Sequence, residues 1–181
     1  MNILATVAGF LLLVNIPASK ENREGPPRIK IKVKGVDSAS KRGALEKTLK
    51  ALASTDEVLA GRDGAITILM KQSDKALTLR LSEIVGAIKR TNERISIDNS
   101  KTELNGKFHI ETNAPAKGIL EKIKAQKGIK RVGKGKRLGR TLSFEVEASG
   151  LNLGALMRAV GKEKIDLIWT SPAKKKKGGG G

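Results

Sequence analysis

One succession of apolar patterns occurs twice along this chain of 181 residues, and no other feature limits its fold as strongly. In residues 28–97, apolar side chains alternate where strands are expected and recur every three or four residues where helices are expected. The resulting order is strand, helix, strand, strand, helix, strand. The two helices are indicated by Leu45, Leu49 and Leu52 and by Leu81, Ile84, Val85 and Ile88.

The same order returns in residues 107–170. The sequence GALEK at 43–47 recurs there as GILEK at 118–122. The spacing of the second helix is repeated by Leu153, Leu156, Met157 and Val160. We therefore expect two copies of one module, joined by a polar linker at residues 98–106.

A βαββαβ unit with right-handed crossovers places both helices on one face of a four-stranded antiparallel sheet. The sequence therefore predicts an α+β protein of two tandem ferredoxin-like sandwiches. Aromatic residues make up only 2% of the chain, so the cores should be aliphatic. The face of the first sheet opposite its helices should carry Lys30, Lys32 and Lys34, which would point to solvent or to a partner.

The segments outside the two modules have their own patterns. Residues 1–18 contain a short apolar run that matches a secretory signal better than a membrane anchor. No lysine or arginine precedes the run, which is atypical of such signals, and a buried first strand or helix is the alternative. Residues 19–27 would be a linker and residues 171–181 a basic, glycine-rich tail. We expect an exported protein, periplasmic or extracellular, with no stable transmembrane span after processing.

The lack of cysteine and the single histidine restrict the chemistry open to this chain. Disulfides, thiolate metal ligands, iron–sulfur clusters and cysteine nucleophiles are excluded, and His109 alone cannot build a conventional zinc site. His109 alternates within a predicted strand, where a role in the strand is more common than one as base or ligand. The sequence contains neither a serine, histidine and aspartate set nor a phosphate-binding glycine loop. We predict no enzyme, no cofactor and no bound metal.

The stretch GVDSASKRGALEKTLKAL, residues 35–52, resembles the heavy-metal-associated domain of copper chaperones and of copper and cadmium pumps. In that family a glycine, an apolar residue and a small polar residue precede Cys-x-x-Cys, and an apolar residue and a glutamate follow in the helix. The segments Gly35–Asp37 and Leu45–Glu46 match this pattern. The resemblance covers residues 28–97 and, more weakly, residues 107–170.

The family's two cysteine positions are filled by Ser38 and Lys41 in the first module and by Asn113 and Ala116 in the second. Soft-metal binding in the family depends on two thiolates. A serine hydroxyl is a hard, poorly ionised donor, and a charged lysine has no lone pair to offer. The resemblance therefore implies two heavy-metal-associated modules whose metal-site positions are degenerate.

The same turn offers a second kind of site. The backbone N–H groups at the start of the helix, the hydroxyls of Ser38 and Ser40 and the cations Lys41 and Arg42 could hold a phosphate, a sulfate or a carboxylate. The alternative is structural, with one serine capping the helix and both cations solvated.

Residues 127–140 are the most basic stretch between the linker and the tail. They contain four glycines and no acid, and in the repeat they form the loop between the second and third strands. Such a segment would bind polyanions with little sequence preference, and a merely solubilising loop is the alternative. Its seven cations are Lys127, Lys130, Arg131, Lys134, Lys136, Arg137 and Arg140.

The net charge of +18 favours an acidic protein partner or a polyanion. Nucleic acid is a possible partner but not a base-specific one. Sequence-reading RNA modules of this fold stack bases on aromatic residues of the central strands, and the expected strands of the first module carry none. In the second module, Phe108 and Phe144 are expected in the core.

These observations lead to one expected function and two alternatives. We expect an exported, non-enzymatic binding protein of degenerate heavy-metal-associated modules, which docks to a metal-handling or other acidic partner without thiolate metal binding. The first alternative is nonspecific binding of nucleic acid or another acidic polymer through residues 127–140 and the C-terminal tail. The second and more remote one is an acylphosphatase-like enzyme, because Arg42 lies near the turn where such enzymes hold an acyl phosphate.

Overall fold

The computed structural model describes residues 26–113, 116–161 and 165–174. The predicted signal segment 1–18 and the predicted residues 19–25 of the first linker lie outside these ranges. The same holds for residues 175–181 of the predicted tail.

The described chain contains four helices and ten strands, which follow the predicted order twice with two additional strands. Their bounds are β1 Arg28–Lys34, α1 Ala39–Lys50, β2 Thr55–Ala60, β3 Ala65–Met70, β4 Leu77–Arg80, α2 Leu81–Thr91, β5 Ser96–Ile97, β6 Glu103–Thr112, α3 Ala116–Lys124, β7 Ile129–Val132, β8 Lys136–Leu138, β9 Thr141–Asn152, α4 Leu153–Val160 and β10 Ile165–Ser171.

The first sheet has the strand order β2-β3-β1-β5, and all its strand pairs are antiparallel. Side chains alternate along β1, so Ile29, Ile31 and Val33 are buried while Lys30 and Lys34 are exposed. Helices α1 and α2 pack on the buried face through residues such as Leu45 and Ile84. The predicted strand with one face in the core and one towards solvent is therefore confirmed for β1.

The second sheet contains the order β10-β6-β9-β7, which repeats the order of the first. Helix α3 contacts β7 of this sheet, and helix α4 contacts β9. The topology of both modules is the ferredoxin-like one that the sequence predicted. The second sheet has six strands rather than the expected four. Strand β4 of the first module pairs with β10, and β8 pairs with β9.

The predicted linker 98–106 is only partly a connection. Strand β6 begins at Glu103, inside the predicted linker, and Asp98 and Thr102 are buried. The Thr102 hydroxyl donates to the Asp98 carbonyl at 2.9 Å and accepts the Lys32 N–H at 3.0 Å. Polar residues appear here because their hydrogen bonds tie the end of the first module to β1, which a polarity pattern cannot distinguish from an exposed linker.

The predicted loop 127–140 is also different in the structure. It forms strands β7 and β8, both paired with β9, rather than a free hairpin loop. Ile129 and Val132 pack against the core and anchor the segment. Gly128 begins it with a φ of +94°, and a Cβ there would lie 2.7 Å from the Leu151 backbone nitrogen, so only glycine fits.

A single hydrophobic cluster joins the two modules. It is mostly aliphatic, as expected, and its aromatic members are Phe108, Phe144 and Trp169. The rings of Phe108 and Trp169 lie 6.1 Å apart between centroids. Leu79 of β4 belongs to this cluster and is fully buried, so a strand of the first module helps to complete the core of the second.

Across residues 26–113, 116–161 and 165–174, the structure contains no helix with the length and apolarity that crossing a membrane would require.

Candidate functional site

The turn between β1 and α1 is tight and glycine-dependent. Gly35 has a φ of +82°, and a Cβ at this position would lie 2.5 Å from the Arg94 carbonyl oxygen. Val36 then turns into the core. Ser38 is the N-cap of α1, since its hydroxyl oxygen accepts the Lys41 N–H at 3.3 Å.

Lys41, which the sequence predicted as the second degenerate metal-site position, forms an ion pair within the same turn. Its ammonium Nζ lies 2.9 Å from Asp37 Oδ2, four residues earlier. The hydrogen bond from Lys41 lowers the pKa of Asp37. The cation at this end of α1 therefore already has an anionic partner.

These contacts do not fit a metal of the kind that the family resemblance implied. The Ser38 oxygen serves as helix cap, and the Lys41 ammonium carries its own positive charge beside Asp37. No group of three or more histidine, aspartate or glutamate side chains within the described ranges is arranged to hold a metal ion. The geometry of this turn is that of a capped helix start.

The predicted anion site at the same turn is only partly assembled. Ser38, Ser40, Lys41 and Arg42 are adjacent, and Ser40 is exposed. However, the Lys41 N–H is bonded to Ser38, the Arg42 N–H donates to the Ser38 carbonyl at 3.1 Å, and Asp37 lies beside the Lys41 ammonium. A bound anion would have to compete with these existing acceptors.

The equivalent positions of the second module, Asn113 and Ala116, are placed differently from Ser38 and Lys41. Asn113 is exposed, and its Oδ1 accepts the Thr141 hydroxyl at 3.0 Å. Ala116 is the first residue of α3. The structure thus places neither residue in an arrangement that resembles a ligand pair.

We call residues 127–140 the basic strand segment. All seven of its cations are exposed. Two lie on β7, two lie on β8, and the other three flank these strands. Neighbouring residues on a strand point to opposite faces, so the segment presents charge on both sides of the sheet edge. Within the described chain, none of the seven forms an ion pair.

Some cations elsewhere in the described structure form ion pairs. Lys32 pairs with Asp63 at 2.6 Å, Lys34 with Asp98 at 3.6 Å and Lys124 with Glu121 at 3.1 Å. The basic strand segment differs from these positions because its seven cations are close together in a stretch that contains no acid.

His109 lies in β6, with Ile168 and Glu145 opposite it on the neighbouring strands. It is half-buried on the face of the sheet away from the helices. Among the residues that the structure describes, no serine or aspartate is hydrogen-bonded to its ring, so it does not form a catalytic set of the Ser-His-Asp kind.

The lysine face of β1 includes one feature that the sequence analysis missed. A shallow groove of about 210 Å³ lies between Arg28 and Lys30 of β1, Leu69 of β3 and Leu59 of β2. Leu59 is 57% exposed, which is unusual among the large apolar residues of the described chain. The only sequence signal was that Leu59 follows the core residue Val58 in a strand, where successive side chains point to opposite faces.

A charged cluster at the junction of the modules was also missed. Arg80 Nη1 lies 2.8 Å from Glu111 Oε2 and 3.4 Å from Asp166 Oδ2. Asp166 also accepts the Ser82 N–H and hydroxyl, at 3.1 and 2.7 Å. Asp166 is 86 residues from Arg80 and 84 from Ser82 in sequence, so no local pattern could have joined them.

No protein-family model and no curated protein matches the chain. Solved structures that match include the water-soluble region of the P-type ATPase CopA from Bacillus subtilis, at 16% identity and a TM-score of 0.34, covering 78% of this chain and 90% of that chain. Another is the structure of the N-terminal soluble domains of Bacillus subtilis CopA, at 16% identity and a TM-score of 0.31, covering 77% and 91%. The ferredoxin-like fold of this chain rests on its own strand order.

Proposed function

We propose that this protein is a non-enzymatic polyanion-binding protein whose main contact surface is the basic strand segment. The observation that carries the proposal is the concentration of seven exposed cations in residues 127–140, a stretch without an acid, none of which has a carboxylate partner within the described residues. Cations without internal partners attract an external polyanion most strongly, because binding breaks no existing ion pair.

The form of the segment supports this function. Strands β7 and β8 are held by pairing with β9, so their cations are attached to an ordered sheet edge rather than a free loop. A fixed array of charges loses less conformational entropy on binding than a flexible one.

Binding of nucleic acid by this surface would not depend on base sequence. Phe108 and Phe144 are each 1% exposed, so neither ring is accessible for stacking on a base. The proposed contacts are therefore with the charged backbone of the polymer.

The proposal is tested by neutralising four cations of the segment in the variant K130Q/R131Q/K136Q/R137Q. The matched control is K47Q/K50Q/K71Q/K89Q, which changes the net charge equally at other exposed positions. Binding to random-sequence duplex DNA and to heparin is measured over a range of salt concentrations. We expect affinity to fall further in the first variant, with the slope of log K against log salt reduced by roughly 0.9 for each phosphate that this variant no longer neutralises.

An equal fall in affinity in the two variants would show that net charge, not this surface, governs binding. If the wild-type protein bound neither polymer at low salt, the proposed polyanion-binding function would be contradicted.

A second candidate function is docking to an acidic protein, which includes the metal-handling partner implied by the family resemblance. The observation that favours it is the exposed Leu59 beside Arg28 and Lys30, because protein interfaces combine an apolar centre with charged rims.

Titration with an acidic leucine-containing peptide, followed by NMR, should shift the amides of β1 to β3 in the wild type and not in Leu59→Ser. Shifts confined to β7 and β8 would contradict this second function.

We also propose that the chain is exported, as its first 18 residues suggest. Mass spectrometry of the protein isolated from its host should find a mature amino terminus close to residue 19 in an exported fraction. An intact Met1 on a cytosolic protein would contradict export.

A further inference from the structure

A cleft of about 510 Å³ lies between the two modules. One wall is the chain that leads into β1, at Pro26 and Arg28. The other wall belongs to the second module and includes Lys130 of β7, Glu147 of β9 and Thr170 of β10. The basic strand segment therefore contributes to this cleft through Lys130.

Several contacts fix the two walls relative to each other. The Lys32 N–H donates to the Thr102 hydroxyl at 3.0 Å, and the Asp98 N–H donates to the Lys32 carbonyl at 2.7 Å. Strand β4 of the first module is paired with β10. The cleft is thus a formed feature of the fold rather than a gap between loosely tethered domains.

The cleft does not have the chemistry of a simple phosphate site. Arg28, Lys107 and Lys130 are exposed cations on its walls, but Glu147 adds a half-buried carboxylate that forms no hydrogen bond or ion pair with the described residues. A ligand that carried only phosphate groups would be repelled by this carboxylate. A ligand that also carries hydroxyl donors would satisfy it.

Neutral groups in the cleft favour the same kind of ligand. The Thr170 and Ser149 side chains are exposed and can exchange hydrogen bonds with hydroxyl groups. The rings of Pro26 and Pro172 supply apolar surface on which the C–H face of a sugar ring can rest. Acidic groups, hydroxyl groups and apolar ring faces occur together in acidic polysaccharides.

We propose that this cleft binds a segment of a linear acidic polysaccharide, with the acidic groups of the sugar on Arg28 and Lys130 and a sugar hydroxyl donating to Glu147. The inference deepens the proposed polyanion-binding function and rests on it. Because Lys130 belongs to both surfaces, a polysaccharide chain that leaves the cleft continues along the basic strand segment.

The test removes the Glu147 carboxylate. Its removal should weaken polysaccharide binding if the carboxylate accepts a sugar hydroxyl, and should strengthen binding if the carboxylate only repels the polymer. Binding of Glu147→Ala to polygalacturonate, a carboxylated glycan, is compared with binding to inorganic polyphosphate, which has neither sugar hydroxyls nor rings. If Glu147 accepts a sugar hydroxyl, Glu147→Ala, which retains no acceptor, binds polygalacturonate about tenfold more weakly. The same variant binds polyphosphate more tightly, because a repelling carboxylate has gone.

The matched control is Glu145→Ala. Glu145 is exposed two residues earlier on the same strand and does not line the cleft. This variant should bind both polymers slightly more tightly. A second cleft variant, Thr170→Val, should weaken binding to polygalacturonate alone, and circular dichroism checks that all variants are folded.

Tighter binding of Glu147→Ala to both polymers would overturn the glycan site and leave polyanion binding intact. Binding of polyphosphate without polygalacturonate would do the same. If the wild-type protein bound neither polymer, both the glycan site and the proposed function would be rejected.

Discussion

Single residues decide what the turn before α1 can do. The family resemblance placed a metal-binding pair at positions 38 and 41, but the side chains present there make a helix cap and an ion pair with Asp37. The backbone of the turn has its glycine at position 35, where the positive φ and the close Arg94 carbonyl require it. The backbone conformation of the turn and the chemistry of its side chains are therefore set by different residues.

Two glycines near this turn should respond oppositely to the same substitution. Gly35→Ala should destabilise the protein by more than about 1 kcal/mol, because alanine is strained at positive φ and its Cβ would meet the Arg94 carbonyl. Gly43→Ala, within α1, has nothing within 4 Å of the new Cβ and should stabilise by about 0.5–1 kcal/mol. Urea unfolding measures both changes. A decrease in stability in Gly43→Ala would contradict the open environment of that position.

Placing sulfur at positions 38 and 41 should create soft-metal binding. We expect the double variant S38C/K41C to bind about one monovalent copper ion, since it places two thiols at the start of α1. The wild-type protein should show no stoichiometric binding, and Ser38→Cys alone should bind more weakly than the pair. Anaerobic titration against a chromogenic copper chelator measures this. Equal copper binding by wild type and double variant would show that the ligands lie elsewhere.

At the level of elements, the start of α2 depends on the other module. The N-cap residue, Arg80, offers no side-chain acceptor to the first turn, and Asp166 of β10 accepts the Ser82 N–H instead. The hydrogen bond to Glu111 raises the pKa of Arg80, and the nearby Asp166 carboxylate acts in the same direction. A helix of the first module is thus capped by a strand of the second.

Removing this cap should cost stability. Asp166→Ala is expected to destabilise by about 1–2 kcal/mol, the usual range for removal of a cap. Asp166→Asn should recover much of the difference, because an asparagine oxygen can still accept the Ser82 N–H. Glu121→Ala, which removes an exposed ion pair with Lys124, serves as control and should change stability by less than about 0.5 kcal/mol. Urea unfolding of the three variants makes the comparison, and equal effects of Asp166→Ala and Glu121→Ala would contradict a capping role.

The turn between β5 and β6 should make stability depend on acidity. The Ser100 hydroxyl, which donates to Asp98 Oδ1 at 2.6 Å, and the nearby Lys34 lower the pKa of Asp98. A lowered pKa stabilises the folded state above the range where an unperturbed aspartate titrates, and this stabilisation disappears as the pH falls through the folded-state pKa.

The wild-type protein should therefore exceed Asp98→Asn in unfolding free energy at neutral pH, and the difference should shrink as the pH is lowered from about 6 towards 2. Urea titrations at a series of pH values measure the difference. A gap that stayed constant over this range would show that ionisation of Asp98 does not contribute.

At the scale of the whole molecule, the two modules share their structure rather than stand apart. Strand β4 leaves the first module to pair with β10, and the Ser54 hydroxyl of the first module donates to the Thr78 carbonyl within β4. One hydrophobic cluster continues from the first module into the second. Neither module could therefore lose its structure without exposing part of the other's core.

Unfolding should for this reason occur in one transition. The single tryptophan, Trp169 in β10, reports on the second module, while circular dichroism reports on the whole chain, and the two urea curves should coincide. Leu79→Ala should lower stability by about 2–5 kcal/mol and move both curves together. Its neighbour Thr78 is exposed, so Thr78→Ala is the control and should move them little. Separate transitions for the two probes would contradict a shared core.

The sequence by itself determined the fold of each module. Alternating residues such as Ile29, Ile31 and Val33 specify a strand with one buried face, and GALEK recurs as GILEK in the first helix of the second module. These signals are local, because side-chain direction within one helix or strand follows from its own periodicity. The concentration of positive charge in residues 127–140 is equally local, since the stretch contains seven cations and no acid.

Only the tertiary structure decided how the two modules join and what surrounds the charged residues. The pairing of β4 with β10 and the burial of Asp98 and Thr102 depend on partners distant in sequence, whereas the strands within residues 127–140 pair with the next strand, β9. A short run such as Leu77–Arg80 has no periodicity long enough to identify a strand, and its partner is fixed by packing. The cleft between the modules, with Glu147 in its wall, exists because that packing brings the two walls together.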